Sequence, residues 1–367
     1  MTVLTRDFDY HLPDERIAQE PAPRGESRLL VLDAPPGPGR HRRVRDLPEL
    51  LRPGDLLVVN DTRVIPARLF GRRLLEGGRL GGRVELLLVE PIGPEGTETW
   101  EVLARPGRKA RPGTRLRFDG GLEAEVLGRI GDGRYRVRFS EPAEPHLARL
   151  GHVPLPPYIK RPDRPEDRER YQTVYAERPG AIAAPTAGLH FTPELLERIE
   201  TRGMRRARVT LHVGIGTFKP VTAELVHEHA MDEERYRVPE ETAAAIRETR
   251  RRGGRVVAVG TTVVRTLEAA ARREGVPAGE VASGAGRTDL FIYPGFRFRV
   301  VDVLLTNFHL PRSSLLMLVS AFAGRERVLA TYEEAIREEY RFYSYGDAML
   351  AERRAPGPDS TSRLGSG

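Results

Sequence analysis

The chain of 367 residues is long enough for two or three domains with a substantial core. Its formal net charge of +7 and its pI near 9.8 favour an anionic partner such as nucleic acid. The absence of cysteine excludes disulfides, thiolate zinc sites, iron–sulfur clusters and cysteine nucleophiles, and the absence of a membrane-length apolar run or a signal peptide leads us to expect a cytoplasmic protein that makes no membrane contact.

The first 65 residues predict the start of an α/β domain. A strand is predicted over 28–33, a short helix near 47–51, and a buried strand, D-L-L-V-V-N-D, over 55–61. Asp61 and Arg63 stand where this last strand ends. Polar side chains at such a point can serve a ligand, although a simple turn explains the Asn-Asp pair equally well.

Residues 66–150 have a different pattern. Short β-type runs alternate with glycine-rich turns, and no helical periodicity lies among them. Such spacing predicts a small barrel or sandwich inserted into the α/β domain. Its many arginines can follow a phosphate backbone, but solvated strands carry the same charge. The predicted strands are 68–72, 84–90, 100–104, 115–118, 122–127 and 135–139.

After the insert, prolines impose an extended segment over 152–161. Residues 180–191, G-A-I-A-A-P-T-A-G-L-H-F, then join a strand of small residues to a helix that is predicted to begin near Thr192. Small residues let a ligand approach the backbone beside Thr186 and His190. A lone histidine in such a place is more often structural.

Two further strand–helix regions follow. The strand predicted over 206–216 ends in G-I-G, but the dinucleotide-binding fingerprint is not completed. A buried strand over 256–260 leads to a Thr261-Thr262 turn and to a helix with Arg265 in its first turn. Backbone amides and hydroxyls at a helix start form an anion site, which an arginine can clamp with two hydrogen bonds; simple capping is the alternative.

The segment around residue 300 carries the strongest functional signal. An apolar run over 300–305, interrupted only by Asp302, predicts a strand that is buried on both faces. Thr306, Asn307 and His309 crowd its end, before a serine cap and a buried apolar helix. Ligands bind at this edge of open α/β sheets, so we expect a functional site here, unless the polar residues only cap the helix.

These elements predict an α/β fold, with a large mixed, mainly parallel sheet covered by helices and an inserted small all-β barrel domain. The α/β domain is predicted to be discontinuous, over 1–65 and 151–352, with the barrel over 66–150 and a disordered tail over 353–367. The aromatic segment 340–349 can stack a flat base or pack as a C-terminal plug.

Seven motifs lie in order along the chain. They are V-V-N-D-T-R-V-I-P-A-R-L from Val58, Y-I-K-R-P-D from Tyr158, A-A-P-T-A-G-L-H-F-T from Ala183, V-G-I-G-T-F-K-P-V from Val213, V-G-T-T-V-V-R-T-L-E from Val259, V-D-V-L-L-T-N-F-H-L-P from Val301 and Y-R-F-Y-S-Y-G-D-A-M-L from Tyr340. Together they resemble the S-adenosylmethionine:tRNA ribosyltransferase-isomerase family of queuosine biosynthesis. The chain departs from that pattern at Asp232, where the family has histidine, and at Val263, where it has serine, whereas Glu234 matches.

The resemblance implies that S-adenosylmethionine is consumed as a substrate and that no cofactor or metal is retained. The ribosyl part moves to the aminomethyl group of a deazaguanine at the tRNA wobble position and is isomerised, giving epoxyqueuosine, adenine and methionine. The sulfonium acidifies the adjoining ribose methylene, so the route needs a base, help for the departing adenine and exclusion of water. The implied partners are tRNA and S-adenosylmethionine, and we expect a monomer.

The same resemblance suggests roles for individual residues. One of the two histidines, His190 or His309, would transfer protons. Asp302 and Asn307 would orient that histidine or bind sugar hydroxyls. Residues expected to bind substrate, the last three at the methionine end of the donor, are Thr186, Thr217, Glu234, Thr261, Thr262 and Arg265. Those expected to line the nucleoside pocket are Asp61, Arg63, Tyr345 and Asp347. Those expected to contact tRNA, together with the barrel, are Lys160, Arg161 and Arg164.

Two other classes of function compete with this reading. In an inert RNA-binding protein the barrel would bind and the larger domain would only pack. A metal-dependent hydrolase would use His190, His212 and His309, but no compact metal-ligand spacing supports it, and His212 is predicted to be a core residue.

Overall fold

The computed structural model describes residues 3–33, 40–94, 97–131, 133–214, 216 and 221–354. The strands in chain order are β1 (Arg28–Val31), β2 (His41–Arg43), β3 (Leu56–Asn60), β4 (Thr62–Val64), β5 (Arg68–Leu74), β6 (Leu80–Pro91), β7 (Thr99–Arg105), β8 (Arg115–Arg117), β9 (Glu123–Gly131), β10 (Arg134–Phe139), β11 (Arg178–Ala181), β12 (Arg205–Leu211), β13 (Glu234–Val238), β14 (Val256–Val259), β15 (Gly284–Thr288), β16 (Val303–Asn307) and β17 (Ala348–Glu352). The helices are α1 (Leu47–Leu50), α2 (Glu144–Leu150), α3 (Asp167–Arg170), α4 (Pro193–Thr201), α5 (Glu240–Arg251), α6 (Thr261–Ala270), α7 (Ser314–Ala323) and α8 (Arg325–Arg337). The predicted tail lies outside the described residues from 355 onward.

The chain divides into two compact units. The first takes in the described residues of Met1–Asn60, Pro185–Leu211 and Lys219–Gly367, and the second those of Asp61–Ala184 and His212–Phe218. The second unit is longer than the predicted insert of 66–150, which lies wholly inside it. The domain boundaries given by the sequence stay a prediction.

The first unit is built on a nine-stranded sheet in the order β15-β13-β12-β3-β14-β16-β17-β1-β2. Its central strands β12, β3, β14 and β16 run parallel, but four of the eight pairings in the whole sheet are antiparallel. The predicted α/β class and mixed sheet are therefore confirmed, whereas "mainly parallel" is wrong. The physical reason is that β17 returns antiparallel to β16 and β13 returns antiparallel to β12.

The central strands are apolar because both of their faces are covered. Every residue of β3, β14 and β16 is buried, as expected for strands in the middle of a helix-covered sheet. Helix α7 is buried nearly all round, and Ser313 caps it by accepting a hydrogen bond from the Leu316 amide at 3.2 Å. This arrangement fixes the end of β16, where polar residues were predicted to gather.

Several elements of this unit differ from the sequence prediction. The sequence D-L-F-I-Y-P over 289–294 also predicts a strand, but the strand in the structure is β15, immediately before it, because the residues of β15 are the ones that pair with β13. Strands β2 and β17 and helix α8 were not predicted. No helix within the described ranges combines the length and the apolar character needed to cross a bilayer.

The second unit contains six antiparallel strands that close into a barrel in the order β10-β7-β6-β5-β8-β9. Alternate residues point inward, so that β10 reads half-buried, buried, exposed, buried, exposed, buried. The inward side chains Leu69, Leu86, Val102, Val126 and Val137 are fully buried in its core. All six strands predicted in this region are present, with ends that shift by a few residues.

Candidate active site

The carboxyl ends of the parallel strands in the first unit carry a cluster of buried polar side chains. Asn60 ends β3, Asn307 ends β16, and Thr262 lies in the first turn of α6, the helix that follows β14. The side-chain amide nitrogen of Asn60, Nδ2, donates to the Leu211 carbonyl at 3.0 Å and to Thr262 Oγ1 at 3.3 Å. Three separate parts of the sequence therefore meet at one sheet edge, the usual place for a ligand in such sheets.

His190 is held in one tautomer. It ends a 3₁₀ turn, Thr186–His190, and only 4% of it is exposed. Its Nδ1 lies 2.9 Å from Ser27 Oγ, and its Nε2 lies 3.3 Å from Asn307 Nδ2. Because Asn307 Nδ2 also donates to the Tyr343 carbonyl at 3.0 Å, the amide orientation is fixed, so His190 Nε2 accepts and Nδ1–H donates. Both ring nitrogens are thus engaged by the protein.

Both histidines of this edge are neutral at neutral pH. Burial, with a smaller contribution from the positive charges of Arg341 and Arg24, lowers the pKa of His190 to about 4. Burial alone lowers the pKa of His309 to about 3. His309 Nε2 lies 2.8 Å from Thr306 Oγ1.

Asn307 and Tyr343 are under local strain. Asn307 Oδ1 is buried and has no hydrogen-bond partner, a state that costs about 1–3 kcal/mol. The backbone of Tyr343 has a φ of 74°, a conformation that a bulky residue rarely adopts. Strain of this kind clusters at functional sites, so the end of β16 presents an acceptor that a donor group of a ligand can satisfy.

The start of α6 forms the second half of the cluster. Gly260 turns the chain with a φ of 92°, and no side chain caps the helix. The Arg265 Nε donates to the Leu290 carbonyl at 3.1 Å, and Nη1 pairs with Glu234, whereas the buried Nη2 has no partner. The arrangement offers free backbone amides and a free guanidinium donor beside a carboxylate.

The comparisons with known proteins agree with this architecture. A family model described as queuosine biosynthesis protein matches residues 5–351. The chain belongs to this family. An S-adenosylmethionine:tRNA ribosyltransferase-isomerase from Gloeobacter violaceus is 58% identical, over 95% of this chain and 95% of that protein, and one from Trichlorobacter lovleyi is 54% identical, over 95% and 99%. The crystal structure of an S-adenosylmethionine tRNA ribosyltransferase from Thermotoga maritima is 44% identical, with a TM-score of 0.51, over 94% of this chain and 99% of that one.

Asp302 lies at the opposite end of β16 from Asn307. With a rise of about 3.3 Å per residue, five residues of strand separate the two by roughly 16 Å. The Asp302 carboxylate accepts from the Val256 amide at 2.9 Å and pairs with Arg250 at 2.7 Å and with Arg353 at 3.4 Å. In this member of the queuosine biosynthesis family, Asp302 therefore ties the sheet together and does not orient either histidine.

Asp347 holds backbone rather than a ligand. Its Oδ1 accepts from the Arg28 amide at 2.9 Å and its Oδ2 from the Arg341 amide at 2.8 Å, and only 2% of the residue is exposed. These contacts use both carboxylate oxygens, so the predicted place of Asp347 in the nucleoside pocket is not supported. Tyr345 is buried in the same segment.

Replacing Asp347 by alanine is expected to lower the free energy of unfolding by about 2–4 kcal/mol, because two buried amides lose their acceptor. Urea unfolding monitored by circular dichroism measures this change. Glu197→Ala, an exposed position on α4, is the control and should change stability by less than about 0.5 kcal/mol. Equal stability of the two variants, with donor binding lost only in Asp347→Ala, would contradict the structural role.

Two residues predicted for the nucleoside pocket, Asp61 and Arg63, lie in the second unit, as do the residues predicted to contact tRNA. Asp61 is buried and lies 3.7 Å from Arg178, while Arg63 is exposed and donates to the Ala176 carbonyl at 3.4 Å. His212 is half-buried, and its Nδ1 lies 2.9 Å from Thr62 Oγ1.

Arg161 is committed to an ion pair. Its two terminal nitrogens reach the two oxygens of Asp167 at 2.7 and 2.9 Å, and the carboxylate is almost fully buried. This bidentate pair argues against the predicted tRNA contact of Arg161, whereas Lys160 and Arg164 are exposed.

The remaining predicted residues divide as follows. Thr186 is half-buried at the start of the 3₁₀ turn that ends in His190, and Thr217 lies outside the described residues. Val263 is fully buried inside α6. Among the residues that the structure describes, no group of three or more His, Asp or Glu side chains is arranged to hold a metal ion.

Sequence reasoning missed two members of the cluster. Ser27 precedes β1 and has no motif around it, so its contact with His190 follows only from the tertiary fold. The sequence placed Asn60 at the end of a buried strand, but a simple turn explained the Asn-Asp pair equally well, and Asn60 was left out of the candidate site.

Proposed function

We propose that this protein is an S-adenosylmethionine:tRNA ribosyltransferase-isomerase. The observation that carries the proposal is the near full-length match to relatives of that name, at 54% and 58% identity. The donor would be consumed, its ribosyl part moving to the aminomethyl-deazaguanine of the tRNA wobble position as an epoxycyclopentanediol, with release of adenine and methionine. No cofactor is required by this chemistry, and the cytoplasmic location and monomeric state stay predictions.

The start of α6 is suited to the methionine end of the donor. That end is a zwitterion, and the Arg265–Glu234 pair offers one charge of each sign, since Arg265 Nη2 is free while Nη1 is paired. A carboxylate at Nη2 and at the first amides of α6 would gain charge-assisted hydrogen bonds. Thr261 and Thr262 in the same turn would supply hydroxyls, and Glu234 would face the ammonium group.

The end of β16 is suited to the sugar and to proton transfer. His309 is the stronger candidate for the base, because Nε2 contacts Thr306 while Nδ1 has no hydrogen-bond partner in the described part of the chain, whereas both nitrogens of His190 are engaged. His190 would instead hold Asn307, whose free Oδ1 would accept from a ribose hydroxyl. Exclusion of water by this buried setting protects a reactive intermediate.

Single-turnover release of adenine from labelled S-adenosylmethionine in the presence of substrate tRNA tests the proposal. We expect wild-type protein to release adenine, and His309→Gln to be slower by roughly 10²–10⁴-fold, the usual effect of removing a positioned base. The rate of adenine release should fall less in His190→Gln, because this variant removes a positioning contact and not the base.

Wild-type rates in both variants would remove the histidines from the chemistry. An inert RNA-binding protein would bind the tRNA without releasing adenine, and a metal-dependent hydrolase would lose its activity when a chelator is added. The same assay, run with and without chelator, separates the three classes.

A further inference from the structure

The barrel of the second unit carries a small pocket that none of the roles above uses. It has a volume of about 200 Å³, and its functional side chains are Phe70, Arg83, Asp119, Arg149 and His152. Arg83 lies on β6, Phe70 on β5 and Arg149 on α2. His152 is placed beside β5 by a backbone bridge to Arg68, with N–O distances of 2.8 and 3.2 Å.

Neither arginine of this pocket takes part in an ion pair with any described residue, although Asp119 lines the same pocket. Some arginines elsewhere on the barrel pair with glutamates, as Arg117 does with Glu123 and Arg134 with Glu101, both at 2.6 Å. In contrast, neither Arg83 nor Arg149 has a carboxylate within 4.0 Å among the residues that the structure describes. Two unneutralised guanidinium groups around one cavity create a positive potential that attracts an anion.

The Arg149 side chain lies against Gly120, the residue that follows Asp119. A Cβ added at Gly120 would lie 2.7 Å from the guanidinium carbon of Arg149. Arg149 is exposed, so its charge is accessible to a ligand that enters the pocket from solution.

The opposite wall offers a stacking surface. The Arg83 guanidinium lies 4.0 Å above the centre of the Phe70 ring, and the His152 ring meets Phe70 edge-on, with ring centres 4.9 Å apart. His152 Nδ1 is 3.0 Å from Asp163, so Nε2 is the ring atom left for another partner. Planar guanidinium and aromatic groups are the usual platforms for unstacked bases.

We infer that this pocket binds one nucleotide of a single-stranded segment of the tRNA. The base stacks on Arg83 and Phe70, and its phosphate accepts hydrogen bonds from Arg149. His152 donates through Nδ1 to Asp163, so its Nε2 accepts a hydrogen bond from an N–H or O–H group of the nucleotide. Asp119 disfavours a free multivalent anion but suits a nucleotide, because a base presents N–H donors that a carboxylate can accept. The inference rests on the proposed function, since it takes tRNA to be the substrate.

Charge reversal with a matched control tests the pocket. We expect Arg83→Glu and Arg149→Glu each to weaken binding of the full-length protein to a substrate tRNA transcript by roughly 10-fold or more. Arg136→Glu places the same charge change at an exposed position of β10 outside the pocket, and it should weaken binding by no more than about 3-fold. Arg149→Gln should also lower the slope of log affinity against log salt by about 0.7, the value for one phosphate contact on a single strand.

Steady-state kinetics separate this inference from the proposed function. The pocket variants should raise the KM for tRNA while kcat at saturating tRNA and the Kd for S-adenosylmethionine stay at their wild-type values. Losses in the pocket variants no larger than the loss in Arg136→Glu would overturn the inference, and so would binding of inorganic phosphate to Arg149 that does not compete with tRNA. If wild-type protein released no adenine, the proposed function itself would fail.

Discussion

Replacement of Arg265 by methionine is expected to lower the free energy of unfolding of the first unit by about 3–5 kcal/mol. Only 3% of Arg265 and 5% of Glu234 are exposed, so the variant leaves a carboxylate in the protein interior without its guanidinium partner. Removal of one partner of a buried ion pair is among the most destabilising single changes. The midpoint of urea unfolding at pH 7.5 measures the effect.

The double variant Arg265→Met/Glu234→Gln should recover most of this stability, because both ends of the pair are then neutral. It should not recover activity. If Arg265 Nη2 binds the donor carboxylate, kcat/KM for S-adenosylmethionine stays roughly 10–100-fold below wild type, the value of one lost charge-assisted hydrogen bond. Recovery of both stability and activity in the double variant would show that the pair stabilises the fold and does not bind the donor.

Arg255→Met is the matched control for this experiment. Arg255 pairs with Asp55 at 2.6 Å, Asp55 is 2% exposed, and the pair stands at the start of β14, at the other edge of the same sheet. We expect a comparable loss of stability, with the KM for S-adenosylmethionine unchanged. A rise in that KM would mean that any destabilisation of the sheet weakens donor binding.

Local patterns in the sequence were sufficient to predict those elements whose formation depends mainly on neighbouring residues. The six barrel strands alternate inward and outward residues and are separated by glycine turns, so each could be recognised alone. The run over 289–294 shows the limit of this approach. Its composition suits a strand, but strand pairing is a tertiary property, and the neighbouring residues of β15 are the ones that pair with β13.

The sequence predicted where in the fold the candidate site lies, but it did not predict the hydrogen bonds within the site. The carboxyl end of a buried parallel strand identified Asn307 and His309, whereas Asp302 was grouped with them on sequence distance alone. A strand rises about 3.3 Å per residue, so five positions are enough to reach the other edge of the sheet. The pairing of Arg161 with Asp167 could not be foreseen, because no regular element links the two positions.

Lowering the pH from 7 to 4 is expected to remove about 6 kcal/mol from the free energy of unfolding through His190 and His309 alone. Their pKa values are about 4 and about 3 in the folded protein and near 6.5 in an unfolded chain. Below pH 6.5 the unfolded chain takes up a proton at each histidine that the folded protein does not. Stability is therefore complete above pH 6.5, falls as the pH decreases, and stops falling at each folded pKa.

The slope of the unfolding free energy against pH tests this expectation. Between pH 6 and 4.5 the two histidines contribute about 2.7 kcal/mol per pH unit. His190→Gln and His309→Gln should each lower the measured slope by about 1.4 kcal/mol per pH unit. Other groups also titrate in this range, so the comparison is between variants. Slopes equal to that of wild type in both variants would contradict the depressed pKa values.

The same pKa values predict the acid limb of the activity profile. Because both imidazoles remain neutral in the folded protein down to about pH 4, titration of the base near pH 6.5 should not limit adenine release. Activity in acid should fall together with the folded fraction measured by circular dichroism at the same pH. If activity fell with an apparent pKa near 6.5 while the protein stayed folded, the proton-transferring group would have to lie outside this buried pair.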